Sequence, residues 1–190
     1  MISITSLDNF KQKNKFLSLA IGNFDGVHIG HRKLLNETVE DALLHDGFSA
    51  IFTFWPHPLK TINKDIPLKL LTSINSKKLH FENAGINYAF FVPFSNEIRE
   101  LSPQDFVKTI LVDALNVKSI HVGYNFYFGK NALGDTAELQ RLGNLYGFDV
   151  NILPEVKIGC QSVSSTLIKQ CIEDGEIELA NVYLGYNYKH

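Results

Sequence analysis

One ten-residue stretch constrains the fold of this chain more than any other feature, the sequence GNFDGVHIGH at residues 22–31. An apolar segment at residues 16–21 precedes it and predicts a strand, and the pattern after it predicts a helix at residues 32–44. A strand that enters a glycine-rich turn lets backbone N–H groups approach an anion, and the following helix adds unpaired N–H groups and the positive end of its dipole. The stretch therefore predicts a phosphate-binding turn.

Two histidines mark the start of the predicted helix. His28 and His31 are three residues apart, so both imidazoles should lie on one face of the helix. They should point to the same anion position as the backbone N–H groups of the turn. There they could donate hydrogen bonds to phosphoryl oxygens that gain charge in a transition state. The spacing fits neither the dinucleotide fingerprint G-x-G-x-x-G nor the P-loop G-x-x-x-x-G-K-[ST].

A pair of polar residues at a solvated helix start is the simpler alternative for these histidines. The surrounding residues favour an anion site instead, because Gly22 and Gly26 lie in one turn. Asp25 could also hydrogen-bond the backbone of that turn just before the helix.

Strand-like and helix-like segments alternate along the chain, which is typical of a parallel sheet with helices on both faces. Short apolar runs at residues 49–54, 88–92, 119–122 and 148–153 predict strands. Ligands of open α/β sheets bind beyond the carboxyl ends of the strands. We therefore expect the turn at residues 22–31 to converge with residues 56–58, 93–94 and 123–129 in one site.

Two loops at predicted strand ends have the composition of a ligand site. Pro56 and Pro58 fix the backbone around His57, so this stiff loop presents an imidazole at the end of a buried strand. Residues 123–129 place four aromatic side chains and one amide between two glycines. Such a loop offers faces on which a planar ring can stack and a few polar groups for its edges. A plain surface loop and a buried aromatic cluster are the respective alternatives.

A second helix start carries three hydroxyl groups, on Ser164, Ser165 and Thr166. They precede an apolar periodic segment at residues 167–172, so they should lie at a helix N-terminus, which is a second place for an anion. Simple capping of the helix is the alternative, although capping and phosphate binding are compatible.

Four blocks of the sequence resemble one known family in order and spacing: residues 22–31, 56–58, 122–129 and 163–169. The family is the FMN adenylyltransferase module of prokaryotic riboflavin kinase/FAD synthetases, and the resemblance covers essentially the whole chain. It implies an α/β fold, a Rossmann-like parallel sheet of the HxGH nucleotidylyltransferase superfamily with helices on both faces. The implied reaction transfers AMP from ATP to FMN to give FAD and pyrophosphate, with Mg²⁺ accompanying ATP.

The resemblance also implies roles for individual residues. The catalytic residues that it implies are His28, His31 and Asn125. ATP is expected to bind at Gly22, Asn23, Phe24, Asp25, His28, Gly30, His31, Ser164, Ser165, Thr166 and Lys169. FMN is expected to bind at Pro56, His57, Pro58, Tyr124, Asn125, Phe126, Phe128 and Asp135. The resemblance assigns no metal-ligating residue.

Three positions depart from the family pattern. Lys169 stands where the family has arginine, and Tyr127 and Ser162 stand where some members have a basic residue. Lysine keeps the positive charge of arginine and lacks its planar fork of donors. We therefore expect weaker triphosphate binding rather than lost activity.

The composition restricts where such an activity could operate. The net charge is −2 and no long basic run occurs, which argues against binding of nucleic acid or of a membrane surface. No segment approaches the roughly 18 apolar residues of a membrane span, and the N-terminal segment lacks an apolar signal core. We expect a cytoplasmic protein, a monomer or weak homo-oligomer, whose partners are the small molecules ATP, FMN and FAD.

The length fits a single domain. A chain of 190 residues with 45% hydrophobic content can bury one sizeable core. We expect residues 1–190 to form one FMN adenylyltransferase domain, without the riboflavin kinase domain of bifunctional relatives.

Three other functions stay open at this point. Another nucleotidylyltransferase of the same superfamily would share the first and last blocks, but it would not explain the aromatic loop. A catalytically weakened paralogue that only binds flavin or adenine nucleotide is suggested by Lys169, Tyr127 and Ser162. A structural or interaction protein would leave all four blocks unexplained.

Overall fold

The computed structural model describes residues 1–11, 14–62 and 69–188, and its centre is a parallel sheet. The strands of this sheet are β1 (Ile2–Ile4), β2 (Leu17–Ile21), β3 (Phe48–Phe54), β4 (Tyr88–Val92), β5 (Ser119–Gly123) and β6 (Asp149–Leu153). They pair in the order β1-β4-β3-β2-β5-β6, and every pairing is parallel. The strands predicted from apolar runs are confirmed, each to within one residue at either end.

Helices connect the strands. They are α1 (Ile29–Leu44), α2 (Pro58–Ile62), α3 (Ile74–Asn83), α4 (Asn96–Arg99), α5 (Pro103–Phe106), α6 (Thr136–Tyr146), α7 (Ser165–Glu173) and α8 (Ile177–Leu184). The helix α5 continues into a π-helical segment, Val107–Ala114. A short antiparallel hairpin of β7 (Lys157–Ile158) and β8 (Gln161–Ser162) precedes α7. Within the described residues, none of these helices has the length and hydropathy needed to cross a bilayer.

Side-chain caps set the starts of the two helices nearest the predicted anion sites. The helix α1 begins at Ile29 rather than at residue 32, because His28 caps it and its Nδ1 accepts a hydrogen bond from the N–H of His31 at 3.3 Å. The helix α7 begins at Ser165 rather than at residue 167, because Ser164 Oγ accepts from the N–H of Leu167 at 3.1 Å. The predicted polar groups therefore lie in the caps and first turns of these helices.

The sheet has a hydrophobic core on each of its faces. Successive residues of a strand point to opposite faces, and in β2 Leu19 packs into one apolar cluster while Ala20 packs into the other. The π-helical segment and α6 cover the first face, and α1 and α3 cover the second. The predicted α/β fold with helices on both faces of a parallel sheet is confirmed.

The strand order reverses at the centre of the sheet, between β2 and β5. From β2 the chain passes through α1 to β3 and then to β4, whereas β5 returns to pair with β2 on its other side. A crevice beyond the carboxyl ends of the strands at such a switch point is where open α/β sheets bind ligands.

The helices α7 and α8 form a third apolar cluster with each other, around Ile168, Cys171, Ala180 and Tyr183. This pair packs beside the turn that follows β2. A Cβ atom placed on Gly26 would lie 3.3 Å from Cδ2 of Leu184, the last residue of α8. The C-terminal helices therefore form one side of the predicted phosphate-binding turn.

Candidate active site

A pocket of about 810 Å³ opens beyond the carboxyl ends of β2 and β5. Its wall includes the turn after β2, Pro58, Phe94 and the loop after β5, so the predicted convergence of these segments is confirmed. The first turn of α7 also contributes. The predicted site residues in the wall are Gly22, Asn23, Phe24, Asp25, His28, Gly30, His31, Pro58, Tyr124, Asn125, Phe126, Phe128, Ser164, Ser165 and Thr166.

The turn after β2 has a backbone shape that its glycine permits. Gly26 has a φ of +83°, and a Cβ atom there would lie only 2.7 Å from Cδ1 of Leu71. Phe24 and Val27 also have positive φ angles, 50° and 36°, which are uncommon for side chains of this size. Both of these apolar side chains are fully buried, and this packing holds the strained backbone in place.

Three side chains from distant elements bind the carbonyl groups of this turn. Lys77 Nζ donates to the carbonyl of Asn23 at 2.7 Å, Ser165 Oγ donates to that of Asp25 at 2.7 Å, and the Tyr186 hydroxyl donates to that of Gly26 at 2.6 Å. Carbonyl oxygens would repel an anion, and here each of them is engaged by a donor. Among the described residues, no acceptor engages the backbone N–H groups at positions 23–25. The turn can therefore offer donors to a phosphate.

The carboxylate of Asp25 has a different role from the one that the sequence suggested. We expected it to hydrogen-bond the backbone of its own turn, and this expectation is wrong. Its Oδ1 accepts from the N–H of Leu71 at 2.8 Å and of Thr72 at 3.4 Å, and its Oδ2 lies 2.7 Å from Lys169 Nζ. The segment before α3 packs against the turn, and its backbone N–H groups bind the carboxylate instead of those of the turn itself. Asp25 therefore ties the turn to two other elements.

The two histidines form a stacked pair in the pocket wall. Their ring centroids are 3.7 Å apart and their planes differ by 19°, so the prediction that both imidazoles share one face is confirmed. The Nδ1 of His28 accepts from the N–H of His31, so the neutral His28 ring carries its proton on Nε2. Gly30 allows this arrangement, since a Cβ there would lie 3.2 Å from Cε1 of His28. The pair thus holds a fixed donor beside the turn.

Burial keeps both imidazoles neutral in the free protein. It lowers the pKa of His28 from 6.5 to about 4, although the nearby charge of Asp25 acts in the opposite direction. Burial also lowers the pKa of His31 well below 6.5, and the neighbouring His28 and Lys77 add to this effect. At pH 7 the two rings are therefore neutral hydrogen-bonding groups rather than cations.

The hydroxyl groups at the start of α7 divide into two roles. Ser164 caps the helix and Ser165 binds the carbonyl of Asp25, so both hydroxyls are engaged within the protein. Thr166 is exposed in the pocket wall. Lys169, predicted to contact ATP, does not lie in the wall, and its ammonium group pairs with the carboxylate of Asp25 at 2.7 Å.

The opposite side of the pocket is aromatic. Phe126 and Phe128 stack with centroids 5.6 Å apart, and the exposed amide of Asn125 lies beside them. Gly123 allows the close packing of this amide, because a Cβ there would lie 3.3 Å from Oδ1 of Asn125. The side chain of Tyr124 is also exposed at this wall. The aromatic loop therefore forms a surface of the pocket, as predicted, while the side chain of Phe128 is also part of the buried core.

Three residues predicted to bind FMN lie outside the pocket wall. Pro56 is exposed, and the Nδ1 of His57 accepts from the N–H of Leu59 at 3.2 Å, near the start of α2. Asp135 caps α6, because its Oδ1 accepts from the N–H of Glu138 at 2.8 Å. The structure thus assigns local capping contacts to His57 and Asp135.

The sequence did not indicate several residues of the site. Phe54, Phe106, Ile98 and Arg99 line the aromatic side of the pocket. Phe54 ends a predicted strand, so its position was a usable signal, whereas nothing in the local pattern singles out Arg99. The same holds for Lys77 and Tyr186, which reach the turn from 54 and 160 residues away.

The described ranges 1–11, 14–62 and 69–188 contain no group of three or more His, Cys, Asp or Glu side chains placed to hold a metal ion. Asp25 is the acidic residue that lines the pocket, and both oxygens of its carboxylate are engaged within the protein.

Comparison with known proteins agrees with this geometry. The FAD synthetase family matches residues 10–167. The bifunctional riboflavin kinase/FMN adenylyltransferase from Buchnera aphidicola subsp. Schizaphis graminum is 34% identical over 96% of this chain. The protein of the same name from Escherichia coli K12 is 35% identical over 90% of it. The protein of the same name from Listeria monocytogenes is 34% identical over 95% of it. The chain spans 59%, 54% and 57% of the length of these relatives.

One solved structure has the same fold. It is described as a macrolide-efflux protein from Streptococcus pneumoniae, and it superposes with a TM-score of 0.83 at 24% identity. The superposition covers 98% of this chain and 60% of the other. With the family match over most of its length, the chain belongs to the FAD synthetase family.

Proposed function

We propose that this protein is an FMN adenylyltransferase, which transfers AMP from ATP to FMN and releases pyrophosphate. The observation that carries the proposal is the pairing of two surfaces in one pocket. The stacked His28 and His31 beside the turn suit phosphates, and the wall around Phe126 and Asn125 suits a flavin ring. The names of the relatives support the same reaction.

The reaction requires alignment more than acid–base chemistry. A phosphate oxygen of FMN attacks the α-phosphorus of ATP, a new P–O bond forms, and the bond between the α-phosphorus and the bridging oxygen to the β-phosphate breaks. The second pKa of a phosphate monoester is about 6, so the nucleophile is already largely dianionic at pH 7. The protein must hold this oxygen in line with the α-phosphorus and stabilise the charge on the α-phosphate and on pyrophosphate.

The residues of the pocket divide between these two tasks. The Nε2–H of His28, the His31 ring, the N–H groups of the turn and the hydroxyl of Thr166 would donate to the phosphates. The loop at residues 124–128 would hold the isoalloxazine ring, and Asn125 lies where it could contact either substrate. Mg²⁺ would enter as part of MgATP, held by phosphates and water. These assignments stay predictions.

An assay of the purified protein with FMN, ATP and Mg²⁺ tests the proposal. We expect FAD and pyrophosphate to form in equal amounts, with flavins separated by chromatography and pyrophosphate measured enzymatically. A reaction without ATP and one with the double variant His28→Ala, His31→Ala are the controls. Absence of enzyme-dependent FAD would contradict the proposal.

One contact supports a second candidate, a paralogue that binds the nucleotides with little catalysis. Lys169 is paired with Asp25 at 2.7 Å, so its charge is not directed into the pocket. Binding of FMN and ATP in titrations without formation of FAD would favour this candidate. The cytoplasmic location and the monomeric or weakly oligomeric state stay predictions.

A further inference from the structure

Lys77 is a buried cation that the fold itself does not explain. Its side chain is 1% exposed, and lysine is rarely buried to this degree without an ionic partner. Its nitrogen donates to the carbonyl of Asn23 at 2.7 Å and lies 5.6 Å from the centre of the Trp55 ring. In the part of the chain that the structure describes, no carboxylate lies within 4.0 Å of this nitrogen. An apolar side chain of similar length would avoid the cost of burying the charge.

The charges around the turn leave the positive charge of Lys77 in excess. Asp25 is the nearby carboxylate, and its Oδ2 is already paired with Lys169 at 2.7 Å. The sum over Asp25, Lys169 and a protonated Lys77 is therefore one positive charge beside the turn. Burial means that water screens this charge weakly, so it acts on an anion bound at the front of the turn.

We propose that Lys77 is a positioning residue of the nucleotide site: it holds the Asn23 carbonyl on the far side of the turn and presents positive charge to a bound triphosphate. Lys77 does not line the pocket, so it acts through the turn rather than by touching the ligand. The identity of the ligand rests on the proposed function. The claim itself concerns binding and does not require turnover.

The charge of Lys77 can be switched by pH within a convenient range. Burial lowers its pKa from 10.5 to about 8, with Asp25 opposing and Lys169 adding to this effect. Three titratable groups face Lys77: Asp25 from the turn, His31 from α1 and Lys169 from α7. A triphosphate that prefers the charged form by about tenfold should bind about fivefold less tightly at pH 9 than at pH 7, because at pH 9 the free protein is mostly neutral at Lys77.

Titration calorimetry with MgATP at pH 7, 8 and 9 tests the inference, with melting temperatures of the free proteins measured in parallel. Lys77→Met removes the charge and leaves an unbranched apolar side chain that is one atom shorter. We expect about a tenfold loss of affinity at pH 7, the size expected for one unit charge within about 10 Å of an anion at an effective dielectric constant of about 20. The melting temperature should stay the same or rise.

The matched control is Lys78→Met on the next residue of α3, whose ammonium group lies over Phe91 and outside the pocket wall. It should bind MgATP like the wild type at all three pH values. The decline in affinity from pH 7 to pH 9 should disappear in Lys77→Met, which keeps Asp25, His31 and Lys169. If Lys77→Met does not fold, Lys77→Arg serves instead, and its affinity should stay constant up to pH 9.

Wild-type affinity in Lys77→Met, or an unchanged pH profile in Lys77→Met or Lys77→Arg, would overturn the inference. Failure of the wild type to bind MgATP would overturn both this inference and the proposed function. Tight, Lys77-dependent binding of MgATP in a protein that forms no FAD would support the inference and contradict the proposed function alone.

Discussion

Acidification should destabilise this protein through His28 before the carboxylates titrate. Burial of the ring lowers the pKa of His28 from 6.5 to about 4 in the folded state. Between these two pH values the unfolded chain binds more protons at this residue than the folded protein does. The free energy of unfolding therefore falls as the pH falls through this window.

The magnitude follows from the two pKa values. Integrated from pH 8 to pH 5, the difference in proton binding at His28 is worth about 2 kcal/mol. His31 contributes in the same direction, because its pKa is also lowered by burial and by the adjacent His28. A loss of this size is a large share of the stability of an ordinary domain.

The variant His28→Asn isolates this effect. Asparagine is a favoured N-cap residue, so the start of α1 should be retained, while the titrating ring is removed. Urea unfolding of both proteins at pH 8 and pH 5 gives the two differences in free energy. The loss for wild type should exceed that for His28→Asn by about 2 kcal/mol or more. Equal losses in the two proteins would refute the assignment of a buried, neutral His28.

Substitutions at three further positions test the construction of the turn. Gly26→Ala should lower the free energy of unfolding by about 1–3 kcal/mol in urea titrations, because φ is +83° and the new Cβ would lie 2.7 Å from Leu71. Unchanged stability would contradict the positive φ and the close packing at Gly26. Tyr186→Phe loses the hydrogen bond to the Gly26 carbonyl, so we expect a loss of about 1 kcal/mol and a higher KM for ATP, and an unchanged KM would show that this brace is dispensable. Lys169→Ala should weaken ATP binding in calorimetry, because the charge of Asp25 is left unpaired. Lys169→Arg should bind ATP at least as tightly as the wild type does. Equal affinity in the wild type and both variants would show that Lys169 does not contribute to ATP binding.

Local signals in the sequence were sufficient for five of the six strands of the sheet, whereas the short edge strand β1 was not predicted. The apolar run at residues 88–92, followed by Pro93, predicted the bounds of β4 correctly. Caps are equally local, and Ser164 precedes α7 as its residue type suggests. The convergence of the loops followed from the rule for parallel sheets, which needs only the direction of the strands.

The partners of the turn could not be predicted, because they are tertiary. Asp25 was expected to bind locally, but Leu71 and Thr72, 46 and 47 residues away, supply the N–H groups. A rule for turns considers only adjacent residues, and it fails where another segment packs against the turn. The burial of Lys77 could not be predicted either, since a lysine within a helix is normally solvated and no local pattern distinguishes this one.

The proposed reaction depends most directly on the stacked imidazoles, and the kcat for FAD formation tests their role. At saturating FMN and MgATP, His28→Ala and His31→Ala should each lower kcat on the order of 10²-fold or more, with a smaller effect on the KM for FMN. The reason is that donors aimed at the phosphates contribute most when charge develops in the transition state. Turnover equal to that of the wild type in both variants would contradict the account.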